Sequence, residues 1–120
     1  MSVVYTKAVI AHSTKLDKRQ ALQFLVDTGA FFTVIPRDVL ASLRIEPLRK
    51  EHVRFADGRM ARWDVGEARL ILNGRRVTTL VLFGKPHTQP LLGSYSLEGL
   101  GLTIDPRRRK LVPTPVVIVA

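Results

Sequence analysis

Phe24-Leu25-Val26-Asp27-Thr28-Gly29-Ala30 is the stretch on which the reading of this chain turns. Three apolar, strand-prone residues deliver one carboxylate, and a small, pliable run follows at once. A carboxylate closing an apolar strand is costly to bury unless it is hydrogen-bonded, paired or protonated. Two accounts fit it. Asp27 either opens a turn and is held by its own backbone, or it is set there for chemistry. The surroundings bear on the choice. Thr33-Val34-Ile35 is strand-like again, and far downstream Leu91-Leu92-Gly93 precedes a short helical stretch.

Working outward, short apolar runs alternate with turn residues. Residues 5–11 form a β-prone run and 12–19 a polar connection, with a second strand over 21–26. A strand over 32–35 stops at Pro36, and Val39, Leu40 and Leu43 stand at helical spacing behind it. Proline suits the first helical position, so one or two turns are expected over 37–43. Residues 53–55, Asp57-Gly58 and 60–63 read as a hairpin, as do 68–72, Asn73-Gly74 and 77–83. Asn-Gly is a strong turn signal because both residues tolerate positive φ. After a loop over 85–90, a helix over 94–100 is expected with Ser94 as cap and Gly101 as stop. Short strands over 102–104, 110–112 and 116–119 finish the chain. No linker interrupts this pattern. The expectation is one mainly β, barrel-like domain over residues 1–120, with one or two short helices.

The composition narrows the chemistry. At 120 residues, 46% hydrophobic and 24% charged, the chain is globular rather than disordered. With no cysteine, disulfide scaffolds and Cys-based zinc sites are excluded, which fits a reducing, cytoplasmic setting. The first residues lack a basic stretch followed by an apolar one, so no signal peptide is expected. No apolar run approaches the ~20 residues needed to cross a bilayer, so no membrane partner is expected. His12, His52 and His87 are far apart, and neither metal nor cofactor is expected. Gly93-Ser94-Tyr95-Ser96 lacks a nucleophile-elbow frame. Lys and Arg total 19 against 10 Asp and Glu, a net charge of +9 that could draw nucleic acid, anionic lipid or acidic peptides. The densest basic run, Arg107-Arg108-Arg109-Lys110, reads as a solvated turn, and the aromatics are too scattered for base stacking. Nucleic acid is therefore not the expected partner.

Asp27-Thr28-Gly29-Ala30 followed by Thr33-Val34-Ile35 resembles the active-site loop of retropepsin-like (retroviral-type, clan AA) aspartic proteases. Leu91-Leu92-Gly93 resembles their second hallmark, two hydrophobic residues and a glycine ahead of a helix. The order of elements matches over nearly the whole chain, and short prokaryotic members look nearest. The resemblance implies a retropepsin-like acid protease barrel acting as an aspartic endopeptidase. In such enzymes two aspartates share one proton; the ionised one activates water and the protonated one polarises the scissile carbonyl. This chain has one Asp-Thr-Gly. The resemblance therefore implies a homodimer in which each chain contributes Asp27 as the catalytic residue, acting on a peptide or protein substrate. It further implies that Thr28 locks the two loops across the axis and that Gly29 allows close approach. Leu91, Leu92 and Gly93 would support the loop. The terminal segments, 3–10 and 116–119, would interleave between subunits. Substrate would meet Phe31 and Phe32 beside the loop, and Phe55, Ala56, Asp57, Gly58, Arg59 and Met60 of a flap over residues 53–63.

The chain departs from the viral pattern. Phe31 and Phe32 stand where viral members carry acids, and Ser94 stands where they carry the arginine that pairs with one of them. Both halves of that ion pair are replaced together, so no charge is left unpaired. Arg59 at the flap tip suggests a taste for acidic or polar residues flanking an apolar cleavage site, unless it points to water. Two other readings stand beside the protease. Phe31 and Phe32 could fill the cleft of a catalytically idle dimerisation or peptide-binding module. The net charge alone would suit a small nucleic-acid-binding β-barrel.

Overall fold

The computed structural model describes residues 3–119. Its elements run β1 (Tyr5–His12), β2 (Arg19–Val26), β3 (Thr33–Pro36), α1 (Arg37–Ser42), β4 (Pro47–Arg54), β5 (Met60–Leu72), β6 (Arg75–Gly84), β7 (Leu91–Leu92), α2 (Ser94–Leu100), β8 (Leu102–Asp105) and β9 (Lys110–Pro113). Seven strands form one sheet in the order β1-β2-β7-β3-β6-β5-β4, and an extra β1–β5 pairing closes six of them into a ring. Closure removes most free edges, as in other small barrels. β8 and β9 form a separate two-stranded ribbon.

Alternation sets which side chains face inward. Phe24 and Val26 of β2, Ile10 of β1, Ile35 of β3, Leu70 and Leu72 of β5 and Val81 of β6 are buried in one cluster. Leu97 and Leu100 of α2 and Leu111 of β9 join it, so the core draws on nearly every element. α2 lies against β6, where a Cβ on Gly99 would come 2.8 Å from Val77 Cγ2. Gly101 ends α2 with φ 69°, and its N–H bonds back to Glu98.

Four details differ from the sequence expectations. β5 is one strand of 13 residues rather than two short ones. Its outer half pairs with β4 as far as the Pro47–Gly66 pair, and its inner half pairs with β1 from Ala68 onward. Gly66, which reads as a break in sequence, marks this change of partner. A Cβ there would meet Phe83 Cε1 at 2.8 Å and the Glu46 carbonyl at 3.1 Å, so close packing calls for the glycine. β4 begins at Pro47, earlier than the apolar pattern shows, because its first half is charged and exposed. Gly93 rather than Ser94 is the cap residue of α2, Pro36 stands at the cap of α1 rather than in its first turn, and neither cap is made by a side chain. Residues 116–119 form no strand within the chain, and their side chains are 72–92% exposed.

Candidate active site

β2 carries Asp27 to the mouth of the barrel, and the backbone fixes it there. The Asp27 N–H donates to the Leu92 carbonyl at 3.0 Å, and the Asp27 carbonyl accepts from Ala30 N–H at 3.1 Å. The Ser94 and Tyr95 N–H groups donate to the carbonyls of Ala30 and Phe31 at 2.8 and 3.1 Å. The loop after Asp27 is thereby laced to the segment joining β7 and α2. Asp27 is half-buried. Its Oδ1 accepts from Gly29 N–H at 3.0 Å. That contact is the turn-type bond expected of a strand-end Asp, and it coexists with an open position facing the cleft.

A buried chain of hydroxyls lies behind the loop. Thr33 Oγ1 accepts from Gly93 N–H at 3.1 Å and lies 2.6 Å from Ser96 Oγ, which is 2.8 Å from Thr79 Oγ1. All three side chains are almost completely buried. They tie β3, α2 and β6 together at the point where α2 starts. Sequence reading missed this set, since its members are spread over three elements and carry no local pattern. Leu92 is fully buried, while Leu91 lines the cleft.

The cleft has a volume of about 740 Å³. Asp27, Gly29 and Ala30 meet Val34, Leu82 and Leu91 on the barrel side. Val53, Arg54, Phe55, Ala56 and Trp63 line it from the β4–β5 hairpin. Gly84, Lys85, Thr88 and Gln89 complete the rim, and Asp27 is the one carboxylate among the described lining residues. Trp63 is at the end of the flap expected from sequence but not among its substrate-contacting candidates. Its signal was available, because positions 53, 55 and 63 share one face of a two-stranded hairpin. Phe55 and Trp63 indeed meet edge to face, with centroids 5.5 Å apart.

The remaining sequence candidates lie outside this lining. Asp57, Gly58, Arg59 and Met60 form the exposed hairpin tip. Gly58 adopts φ 90°, the conformation for which the turn needs glycine. The Arg59 N–H donates to Asp57 Oδ1 at 3.0 Å, and its Nε donates to Oδ2 at 2.7 Å. Its guanidinium carbon sits 5.0 Å from the centre of the Phe55 ring. Arg59 thus contacts Asp57 and Phe55 of its own hairpin while its side chain stays largely exposed to solvent. The Arg59 backbone N–H, and then its guanidinium, hold the Asp57 carboxyl below the usual carboxylate range. Phe31 packs edge to face on Phe32 at 5.0 Å and against Tyr95 at 5.3 Å. Thr28 is exposed, and its hydroxyl has no hydrogen-bond partner among the described residues. No group of three or more His, Cys, Asp or Glu among the described residues could hold a metal ion. No helix among them is long and apolar enough to cross a membrane.

Comparisons with known proteins bear on the family and the fold. The family described as "gag-polyprotein putative aspartyl protease" matches residues 13–99. The solution structure of simian foamy virus (mac) protease superposes with a TM-score of 0.56 at 22% identity, covering 78% of this chain and 91% of that one. At that identity the likeness concerns the fold. No curated protein sequence matches the chain. With an Asp-Thr-Gly loop laced to a Leu-Leu-Gly segment inside a retropepsin-like barrel, and a family match over most of its length, the chain belongs to the gag-type, retropepsin-like aspartyl protease family.

Proposed function

We propose that this chain is an aspartic endopeptidase that works as a homodimer, with Asp27 of each subunit forming the catalytic pair. The observation that carries the proposal is the lone carboxylate: Asp27 is held by backbone bonds at the mouth of an open cleft that offers no second acid among the described residues. Activating water and polarising a carbonyl takes a base and an acid together. A two-fold axis beside the exposed Thr28 supplies the second carboxylate, with the Thr28 hydroxyls bonding across it. The two carboxylates share one proton between them. Water between them attacks the scissile carbonyl, the ionised carboxylate takes the water proton, and the protonated one donates to the carbonyl oxygen, giving a gem-diol. The carbon–nitrogen bond then breaks as the newly protonated carboxyl gives its proton to the departing amine and the other carboxylate takes one from a diol hydroxyl, which restores the pair. The β4–β5 hairpin closes over the peptide and excludes solvent.

The whole chain, 1–120, acts as one domain in this reading, supported by a single core cluster reaching from Val4 to Leu111. A cytoplasmic location is part of the same reading and rests on the absence of cysteine. Against the idle-module alternative, Phe31 packs on Phe32 and on Tyr95 in the single chain, and neither phenylalanine lines the cleft. Asp27→Asn tests the proposal. Peptide hydrolysis disappears while the circular dichroism spectrum and melting temperature stay those of the wild type. Undiminished hydrolysis by the folded variant would refute the mechanism.

A further inference from the structure

Strand register gives the β4–β5 hairpin two unlike faces. Val53, Phe55 and Trp63 face the cleft, and the alternating positions Lys50, His52, Arg62 and Asp64 share the opposite, outer face. Gly66 has the same parity as Asp64 and Arg62, and a Cβ on it would meet Phe83 Cε1 at 2.8 Å and the Glu46 carbonyl at 3.1 Å. Phe83 and the start of β4 therefore belong to this outer face too. Two hollows open on it. The smaller, about 230 Å³, is bordered by Arg37, Lys50, Arg62 and Lys85, with Asp64 as its one carboxylate. The larger, about 560 Å³, lies beside α1, and its apolar lining comes from Ala41, Ile45, Pro47 and Pro86. Phe83 and Arg37 border both hollows.

Charge sorts the two hollows. In the larger, Arg37 and Arg44 are balanced by Asp38 and Glu46. In the smaller, Lys50 Nζ donates to Asp64 Oδ1 at 2.8 Å, while Arg37, Arg62 and Lys85 form no ion pair among the described residues. Three uncompensated cations around one concavity repel one another and favour an anionic guest. Two of them are arginines, whose planar forks suit a carboxylate. A phosphate would use this half alone and leave the apolar hollow to water. An extended peptide uses both halves. Its side chains two residues apart lie on one side, about 7 Å from each other, so an apolar residue enters beside Phe83 while an acidic one reaches Arg37 and Arg62. The net charge of +9 adds a long-range pull on such a segment.

We infer that this outer face docks an acidic-apolar peptide segment of a partner protein, at a site separate from the catalytic cleft. A guest gripped by Arg62 and Arg37 ties the hairpin to α1 and so to the barrel body. The inference rests on the fold and its charge, not on turnover. The test titrates isotope-labelled Asp27→Asn protein with terminally blocked peptides carrying Leu and Glu two residues apart in a Gly-Ser background, and follows the backbone amide shifts. Blocked ends ensure that any carboxylate recognised belongs to a side chain. Saturable shifts gather at Arg37, Arg62 and Phe83 rather than at Val34 and Leu91 of the cleft. Replacing Glu by Gln weakens binding roughly fivefold or more, and high salt narrows the gap. Replacing Leu by Gly weakens binding as well. In the double variant Arg37→Gln, Arg62→Gln the Glu-to-Gln ratio falls to near one; should that variant not fold, Arg62→Gln alone, at an exposed strand position, lowers the ratio. The inference is overturned by an absence of saturable shifts, by shifts confined to the cleft, by binding indifferent to Glu or to Leu, or by a preference that survives in the folded variant. Tighter binding of pyrophosphate than of the Glu peptide at the same amides also overturns it and assigns the face to phosphate chemistry. Absence of wild-type hydrolysis bears on the protease reading alone.

Discussion

Gly93 leaves no room for a methyl group. A Cβ there would lie 2.5 Å from both the carbonyl carbon and oxygen of Phe32 and 2.7 Å from the Phe31 oxygen. These are backbone atoms of the loop that carries Asp27, and they cannot step aside without moving it. Gly93→Ala is expected to cost about 1–3 kcal/mol of stability, read as a lower denaturant midpoint. The hydroxyl chain behind it makes a second case. Ser96→Ala removes the middle member and strips a partner from both Thr33 and Thr79, whose side chains are buried. A loss of about 1–3 kcal/mol is expected, measured the same way, with Ser96→Ala costing more than substitution of an exposed serine such as Ser42. Sequence reading separates these residues clearly. Asp27, Thr28 and Gly29 are adjacent and therefore legible together. Thr33 and Ser96 lie 63 positions apart, and only the fold brings their hydroxyls within reach.

The β4–β5 hairpin shows what element-level patterning can and cannot disclose. Its tip was legible because Asp57-Gly58 is a turn pair flanked by apolar residues. Its stem was not. Arg49, Lys50, Glu51 and His52 carry no hydrophobic alternation, and their strand is held by pairing with β5 and by the Lys50–Asp64 ion pair. The tip is stiffened by one charged contact, Asp57 with Arg59, whose effect on titration has a definite sign. A carboxyl whose pKa is lowered by folding adds stability that is present above its unfolded pKa and lost as pH falls through the lower folded value. The Asp57–Arg59 contact therefore holds through mildly acidic solutions and weakens only below the usual aspartate range. In Arg59→Gln the Asp57 pKa, followed by carboxyl carbon NMR, is expected to rise toward the usual range. The rise is incomplete, because the backbone N–H of residue 59 still donates to Oδ1. An unchanged pKa in the variant would show that the guanidinium makes no effective contact in solution.

At the scale of the whole molecule, the six-strand ring closes on itself but leaves apolar chain ends outside. Val116, Val117, Ile118 and Val119 are 72–92% exposed, and Val3 and Tyr5 are also exposed. β1 gives one edge to β2 and, from Val9 onward, the other edge to β5, so its first half keeps one unpaired edge. The strand read from Val116-Val117-Ile118-Val119 has β-propensity but no strand partner among the described residues. Propensity is local, whereas a strand forms only where an edge accepts it. In the homodimer we propose, the partner subunit provides that edge, as it provides the second Asp27. The central claim is that each site needs an aspartate from two chains. It is tested most directly by unfolding equal amounts of wild type and Asp27→Asn together, refolding them at constant total protein, and measuring peptide hydrolysis. If both chains must supply Asp27, about one quarter of the dimers are fully wild type, and activity falls to about one quarter of that of wild type alone. Activity of about one half would mean that each chain works on its own, contradicting the account.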